Sequence, residues 1–550
     1  MSNEKEPIGF INFDGTTGQN NEVEVRIPYK RINDVKRGQY VILESDSTNN
    51  DRVYLARIVK GPFFEPDAVG KDSAFARAAI LEADTVKFRP DYHAICRAEI
   101  LGEIIDRESL ILTGSSNRPI PQTAVLPMTG KEIEKLLGLD GDVYFGELSG
   151  YHEVRVHFKQ EDKKVFPRNL GIFGTVGSGK TNSSQVLIEE LSKSGWAIVV
   201  LDVEGEYVLM DQPSKEAETK KFIKKLMERF GISPEGLKNG LNIYHPIGFE
   251  CARPEKSKEF GIRFDNVEHH ILGEILDLNP AQMDRFMEAY YELESEYETK
   301  SESKKKARLT MIEAVADDTE EEAITGKTLK EFIEKVKQKM KDGKSIGDKS
   351  SYAVVLRKLN KLKRSGVFDT QNHLGDYSEL LKVGNVSIFD LSNSQNLYVN
   401  NIVISTLLNK LFALKVRDKD NRLPPLMIVI EEAHSFISRD RAGSMEETLD
   451  ILRDISRRGR KRWLSLCFIS QQPSHLPPEI YELCNTKIVH QITGGKNLDS
   501  IKGSAGGVNP ALWDEIPIMG QGRCLIISPQ FRHAILADVR PCSSRRGMTE

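Results

Sequence analysis

An eight-residue segment rich in glycine constrains the fold of this chain more than any other feature. Residues 174–181 read GTVGSGKT and match the phosphate-binding loop pattern GxxxxGK[ST] without a mismatch. Glycines let the backbone curl so that several N–H groups point at one anion, and the start of the following helix adds its positive dipole end. Because an apolar run precedes the loop at 169–173 and a helix-like run follows at 182–193, the sequence predicts a strand, a loop and a helix in that order.

Each residue type in this loop has a predicted task. Lys180 is expected to reach the β- and γ-phosphates of a nucleotide, and the Thr181 hydroxyl is expected to ligate Mg²⁺. The other predicted nucleotide-binding residues are Gly174, Thr175, Val176, Gly177, Ser178 and Gly179. A glycine-rich turn with a chance lysine is the alternative, and the full match in the right setting favours the nucleotide site.

Two adjacent glutamates follow a second apolar run. Residues 427–430 are Met-Ile-Val-Ile, and Glu431 and Glu432 come directly after them. Nucleotide hydrolases place such an acidic strand end beside the phosphate loop, which predicts Glu431 near Mg²⁺ and Glu432 as the general base for the attacking water. The separate glutamate favours an ATPase over a GTPase. A buried strand with a charged end is the alternative, and the phosphate loop favours the catalytic interpretation.

Basic residues are concentrated just after this acidic strand, at Arg453, Arg457, Arg458, Arg460, Lys461 and Arg462. One interpretation is a solvated helix face, and the other is an arginine finger that reaches the γ-phosphate across a subunit boundary. Arg457 and Arg460 can share a helix face, so both are candidates. Gln471 follows the next apolar run and is predicted to touch the γ-phosphate, with a capping glutamine as the alternative.

Composition limits the remaining classes of protein. A chain of 550 residues has room for roughly three domains. Its formal net charge of −4 requires any nucleic-acid partner to meet a local basic surface. Six scattered cysteines without a CxxC pair argue against a zinc site or a disulfide framework and favour a reducing compartment. Because the chain has neither an apolar run of 18 residues nor a secretion-like N-terminus, we expect a cytoplasmic protein without a membrane segment.

The pattern of apolar residues changes along the chain. Short alternating segments in residues 1–125 predict a small antiparallel β-barrel, interpreted as a docking or assembly module. Strands then alternate with helices, which is typical of an α/β core, over 126–212 and again over 383–530. The charged interval 213–382 predicts a helical insertion between the two parts of the core. Residues 531–550 predict a strand and a polar tail, interpreted as a brace against a neighbouring subunit.

Several of these motifs together resemble a known family. The segments GTVGSGKT (174–181), LDVEGEY (201–207), IEEAH (430–434), RRGRK (457–461), SQQPS (470–474) and NTKI (485–488) are similar to the HerA branch of the HerA/FtsK motors. The N-terminal barrel resembles the HAS barrel of that family, and the insertion resembles its helical bundle. The resemblance implies an α/β fold with a RecA-like P-loop NTPase core, a helical-bundle insertion and an N-terminal small β-barrel.

The resemblance also implies an assembly. It implies a homo-hexameric ring that binds ATP and Mg²⁺ between subunits and threads double-stranded DNA through its pore. It implies a NurA-like nuclease on the barrel face or, as in some relatives, a defence effector such as a sirtuin-like NAD hydrolase. Lys180, Thr181, Glu432, Gln471 and either Arg457 or Arg460 then take the roles given above. Two positions depart from the family: Glu431 replaces the commoner aspartate, and Arg458 stands where an acidic residue is frequent. Arg168 is a further residue expected to face a neighbouring site.

The sequence leaves two functions open. One is an ATP-hydrolysing motor that translocates on double-stranded DNA and works with a partner nuclease or defence effector. The other is an ATP-dependent ring scaffold that assembles and regulates the effector in anti-phage defence, with translocation secondary. A conjugation-type or secretion coupling ATPase is disfavoured by the missing membrane segment. A basic cluster between 357 and 364 either follows DNA phosphates or is a solvated helix face.

Overall fold

The computed structural model describes residues 5–13, 21–44, 52–67, 69–70, 72–81, 91–106, 110–310, 326–343, 345–394 and 396–547. Residues 311–325 of the predicted insertion and 548–550 of the predicted tail lie outside this set. The chain divides into two compact units, one formed by Met1–Lys159 with Ala505–Val539 and one by Gln160–Ser504 with Arg540–Glu550. The domain boundaries predicted from the sequence stay predictions.

The strands in chain order are β1 (Gly9–Ile11), β2 (Glu22–Ile27), β3 (Tyr40–Glu44), β4 (Val53–Pro66), β5 (Tyr92–Asp106), β6 (Ile111–Thr113), β7 (Ala124–Pro127), β8 (Val143–Leu148), β9 (Tyr151–Phe158), β10 (Asn169–Phe173), β11 (Ala197–Asp202), β12 (Leu241–Pro246), β13 (Ser257–Phe260), β14 (Val386–Asp390), β15 (Leu426–Ile430), β16 (Leu464–Ser470), β17 (Cys484–Val489), β18 (Arg523–Ile527) and β19 (Ile535–Val539).

The α-helices in chain order are α1 (Ala74–Leu81), α2 (Gly130–Leu137), α3 (Lys180–Lys193), α4 (Glu216–Thr219), α5 (Lys221–Phe230), α6 (His269–Ile275), α7 (Pro280–Thr310), α8 (Leu329–Asp342), α9 (Ile346–Lys363), α10 (Leu397–Arg417), α11 (Ala433–Phe436), α12 (Glu446–Arg458), α13 (Pro478–Leu483), α14 (Gly495–Lys502) and α15 (Pro510–Trp513).

The first unit contains a closed antiparallel barrel. Its strands pair in the order β2-β1-β7-β3-β4-β5, and β5 closes the ring by pairing with β2. Val23, Val25 and Ile27 of β2 are buried in its core because successive side chains of a strand point to opposite faces. The small N-terminal barrel predicted from the sequence is therefore confirmed.

A second antiparallel sheet belongs to the same unit. Its strands pair in the order β18-β19-β8-β9. The buried Arg57 of β4 lies 2.7 Å from Glu99 of β5 and donates to the carbonyl of Ala534, just before β19, at 2.8 Å. This bond joins the barrel to the sheet within the unit. The strand predicted near the C-terminus is present as β19.

The second unit is built on a parallel sheet. Its described strands follow the order β13-β12-β14-β11-β15-β16-β10-β17, and each neighbouring pair is parallel. Every residue of β10, β11, β15 and β16 is buried, as expected for strands covered on both faces. The register pairs Phe173 with Ser470 and Leu201 with Ile430, so the carboxyl ends of these four strands lie at one edge. The predicted α/β core is confirmed.

Helices α4 to α9 lie in the interval 213–382, which was predicted as a helical insertion. The rings of Phe286 on α7 and Phe332 on α8 pack edge to face with centroids 5.0 Å apart. Both rings are buried. Two strands that were not predicted, β12 and β13, also lie in this interval and extend the parallel sheet at one edge. Strand β12 (LNIYHP) is short and β13 (SKEF) contains two charged residues, so neither has a clear apolar pattern.

Among the described helices, α10 is long and apolar enough to cross a membrane when judged by length and composition alone. Of its most apolar window, 61% is buried inside the protein. Val399, Ile402 and Leu411 are fully buried. This burial is typical of a core helix in a folded protein.

Candidate nucleotide-binding site

The glycine-rich loop joins the end of β10 to the start of α3. Gly177 and Gly179 adopt φ angles of 74° and 114°, in the region that residues with a side chain rarely enter. A Cβ on Gly174 would lie 2.5 Å from Ser178 Oγ and 2.7 Å from His490 Cβ, so this position also requires glycine. The N–H of Thr175 donates to the carbonyl of Gln491 at 2.9 Å, which ties the loop to the segment after β17.

Lys180 lies inside this loop. It is 6% exposed, and its Nζ donates to the Thr175 carbonyl at 3.1 Å. Loss of hydration lowers the pKa of Lys180 from its ordinary value, whereas nearby carboxylates, Glu432 first among them, act in the opposite direction. The Lys180 ammonium group therefore lies near several carboxylate side chains. Thr181 follows it as the second residue of α3.

Glu432 occupies a strained turn at the end of β15. Its φ of 43° and ψ of 50° are left-handed, which costs about 1–2 kcal/mol for a residue with a side chain. The turn leads the chain from β15 into α11. Glu432 Oε2 lies 2.9 Å from His434 Nδ1 and accepts the N–H of Gln471 at 3.4 Å. The predicted general base is thus held between its own helix and the end of β16.

Glu431 and Asp202 lie at the ends of the neighbouring strands β15 and β11. Burial, followed by the charge of Asp202, raises the pKa of Glu431 well above its usual value. Both Asp202 oxygens are occupied, because the carboxylate accepts backbone N–H groups that include those of Gly205 (2.7 Å) and Tyr207 (3.0 Å). Glu431 Oε2 is buried without a hydrogen-bond partner. Asp202 therefore fixes the turn after β11, and Glu431 keeps an oxygen free to bind a ligand.

The turn after β11 supplies two more carboxylates. Carboxylate oxygens of Glu204, Glu206 and Glu431 all lie within 4.8 Å of one another. Burial, followed by the charges of Glu432 and Glu206, raises the pKa of Glu204. Sequence reasoning selected neither Glu204 nor Glu206 for the site. The signal that could have identified them is the pair of carboxylates at alternate positions just after a buried strand.

Gln471 lies at the end of β16, next to these groups. Its Nε2 donates to Glu204 Oε1 at 3.2 Å, and its backbone N–H meets Glu432 as described. Ser470, the last residue of β16, has its Oγ 3.3 Å from His434 Nδ1. The structure therefore brings the predicted residues Lys180, Glu431, Glu432 and Gln471 together at one edge of the sheet. Contact between Gln471 and a γ-phosphate stays a prediction.

Comparison with known proteins agrees with this arrangement. Residues 143–411, which include the glycine-rich loop and the whole predicted insertion and end before Glu431, match the family model described as helicase HerA, central domain. The matched part of this chain, residues 143–411, is therefore a HerA-type central domain.

Relatives of the HerA family cover most of the chain. The DNA double-strand break repair helicase HerA of Pyrococcus furiosus is 23% identical over 448 residues, which span 76% of this chain and 72% of the relative. The HerA of Sulfolobus acidocaldarius, which has the same description, is 23% identical over 502 residues, or 90% of this chain and 86% of the relative. The solved structure of VirB4 of Thermoanaerobacter pseudethanolicus is 15% identical with a TM-score of 0.48, covering 72% of this chain and 96% of that one.

The basic segment at the end of α12 contains both paired and unpaired arginines. Arg453 Nη2 lies 2.6 Å from Glu479, and Arg458 pairs with Asp454 at 3.4 Å. Arg457 ends the last turn of α12, and Arg460 lies in the short 3₁₀ turn that follows. Both are exposed, and within the described part of the chain neither has an ion pair or a hydrogen bond from its side chain.

Two other predicted basic features have different positions. Arg168 directly precedes β10, so it lies at the opposite end of that strand from the phosphate loop. In the cluster near 357–364, Lys358 donates to the carbonyls of Leu276 and Asp277, and Lys361 lies over the Tyr398 ring at 5.1 Å from its centroid. These two lysines are therefore engaged within the fold.

Proposed function

We propose that this chain is an ATPase whose turnover drives movement on double-stranded DNA. The observation that carries the proposal is the juxtaposition of Lys180 in the phosphate loop with Glu432 at the neighbouring strand end. A lysine that grips the phosphates and a carboxylate that activates water are the two groups that phosphate transfer to water requires at one place. The match to the HerA central domain supports the same reaction.

The residues of the site fit ATP and Mg²⁺. Backbone N–H groups of residues 174–181 and the start of α3 favour a triphosphate. The unpartnered oxygen of Glu431, with the Thr181 hydroxyl, offers the hard oxygen ligands that Mg²⁺ prefers. When bound, the cation neutralises charge on the phosphates.

The side chains divide the chemistry between them. Glu432 accepts a proton from the water that attacks the γ-phosphorus, while His434, 2.9 Å away, fixes the direction of that carboxylate. Lys180 stabilises the negative charge that develops on the phosphate oxygens. Gln471 lies between Glu204 and Glu432 and orients either the water or the γ-phosphate.

We propose that movement on DNA uses several copies of the chain. We assign Arg457 or Arg460 to the ATP site of a neighbouring subunit in a homo-hexameric ring, since these exposed guanidinium groups have no partner in their own described chain. Relatives described as DNA double-strand break repair helicases support duplex DNA as the track. The six cysteines are free thiols, which supports a cytoplasmic location.

The barrel supports a second role, as a ring scaffold for an effector. Tyr29, Phe64 and Tyr92 form an aromatic cluster, in which the Tyr92 centroid lies 4.9 Å from that of Tyr29 and 5.9 Å from that of Phe64. Phe63 and Phe64 are 58% and 57% exposed. Exposed aromatic side chains are typical of docking surfaces. We propose that this surface binds a NurA-like nuclease or a defence effector such as a sirtuin-like NAD hydrolase.

ATP hydrolysis with and without linear duplex DNA tests the proposal and separates the two roles. A motor is expected to hydrolyse ATP several-fold faster with duplex DNA. The reason is that DNA binding and nucleotide binding act on steps of the same conformational cycle. A scaffold is expected to hydrolyse ATP at a rate that duplex leaves unchanged and that the effector alters. Lack of hydrolysis under all these conditions would refute both.

A further inference from the structure

Three carboxylates converge beside the phosphate loop. Glu204 and Glu206 come from the turn after β11, and Glu431 comes from the end of β15. Because β11 and β15 are adjacent parallel strands with Leu201 opposite Ile430, their following residues emerge side by side. All three residues offer an oxygen within 4.8 Å of the other two.

Two of these carboxylates have enclosed oxygens without a donor. Glu431 is 3% exposed, and neither its Oε2 nor Glu206 Oε2 has a hydrogen-bond partner. Buried polar atoms are nearly always hydrogen-bonded, because leaving one unsatisfied costs roughly 1–3 kcal/mol and more for a charged group. Asp202 shows the contrast, since backbone N–H groups occupy both of its oxygens. The free oxygens therefore indicate that a ligand is missing from the cluster.

The charge of the cluster indicates what kind of ligand this is. Lys180 is the ammonium group that faces it, and Lys180 also faces Glu432. Within the described part of the chain, this one ammonium group lies among four acidic side chains, so the cluster has fewer positive partners than carboxyl groups. Carboxylate oxygens are the ligands of Mg²⁺ and Mn²⁺ and are not the nitrogen or sulfur set that Zn²⁺ favours. On an octahedral Mg²⁺ with bonds of about 2.1 Å, ligand oxygens lie about 3 Å apart when adjacent and about 4 Å apart when opposite, so small side-chain rotations are enough.

We propose that Glu204, Glu206 and Glu431 bind one divalent cation of the Mg²⁺ or Mn²⁺ type before any nucleotide binds. The inference deepens the proposed nucleotide site and rests on it, but it assigns ligands beyond Thr181 and Glu431 and separates cation binding from ATP binding. In this arrangement the chain itself holds the cation at the site, and Asp202 is a positioning residue that holds the turn carrying two ligands.

Titration of the full nucleotide-free chain with Mn²⁺ alone, followed by electron paramagnetic resonance of the unbound ion, tests this proposal. The parent chain is expected to bind one Mn²⁺ per subunit at a saturable site. Glu206→Gln and Glu204→Gln should each weaken binding at least tenfold, because each removes one charged ligand. Glu218→Gln, at an exposed glutamate on α4, should bind like the parent. Circular dichroism of each variant checks that it has folded.

The Lys180→Ala variant tests the cation site independently of the proposed ATPase activity. It should lose ATP binding yet bind Mn²⁺ at least as tightly as the parent, because it removes a positive charge that repels the cation. Saturable binding without ATP turnover would support the cation site and refute the proposed function. If the parent chain hydrolyses ATP but binds Mn²⁺ only when nucleotide is present, the nucleotide-independent cation site is refuted. The proposed ATPase function is not affected by that result. Parent-like affinity in both glutamine variants would also overturn the assignment.

Discussion

Replacement of Glu432 by glutamine removes the proposed general base while preserving its shape. Glutamine keeps an oxygen that accepts the Gln471 N–H, which meets Glu432 at 3.4 Å, and it leaves Lys180 and residues 174–179 untouched. General-base catalysis contributes about 10²- to 10⁴-fold, which corresponds to about 3 to 5 kcal/mol of activation free energy. We therefore expect Glu432→Gln to lower kcat by two to four orders of magnitude.

ATP binding should survive this substitution. The glutamine removes one negative charge from the group of carboxylates near Lys180, so the affinity of the chain for the negatively charged triphosphate should be equal or higher. Steady-state phosphate release measures kcat, and titration with a fluorescent ATP analogue measures affinity. Glu218→Gln provides a control in which a distant exposed carboxylate changes in the same way. A Glu432→Gln chain that turned over ATP within threefold of the parent rate would refute the assignment of the base.

Three further predictions concern the loop, a helix end and the ring. Gly174→Ala should weaken ATP binding at least tenfold because its Cβ would meet Ser178 Oγ at 2.5 Å, whereas Gly443→Ala, with open space around its Cβ, should bind normally in the same titration. Glu274→Ala should lower the free energy of unfolding of the second unit by about 2 kcal/mol, measured by chemical denaturation. The reason is that the Glu274 carboxylate accepts the N–H groups of Glu447 (2.7 Å) and Thr448 (3.1 Å) at the start of α12. Unchanged stability would show that this helix cap is dispensable. Mixing Arg457→Ala or Arg460→Ala subunits with Glu432→Gln subunits should restore part of the ATP turnover if the arginine acts on a neighbouring site, and no recovery for either arginine would count against shared sites.

The parts of this protein that were predictable from sequence are those with a local signal. The glycine spacing of residues 174–181 and the flanking apolar runs predicted β10, the loop and α3, because each depends on residues close in the chain. The alternating pattern of β2 likewise predicted a barrel strand. Glu431 and Glu432 were found because two carboxylates end a short apolar run.

Features that depend on distant residues were not predictable. Glu204 meets Gln471 across 267 positions, and no spacing in the sequence reports that contact. The distinction between paired and unpaired arginines depends on partners such as Glu479, which lies 26 positions from Arg453. Strand β12 was hidden because its sheet partner, β14, comes more than 100 residues later. Strand β13, which pairs with β12, was hidden because two of its four residues are charged.

The most direct test of the central claim is ATP hydrolysis by the parent chain beside the Lys180→Ala chain, with Mg²⁺ and linear duplex DNA present. Lys180 is the buried cation of the loop, and removing it should abolish the grip on the phosphates. We predict steady phosphate release from the parent and release at background level from Lys180→Ala, with both chains folded by circular dichroism. Equal rates for the two chains, or no release from the parent, would contradict the account.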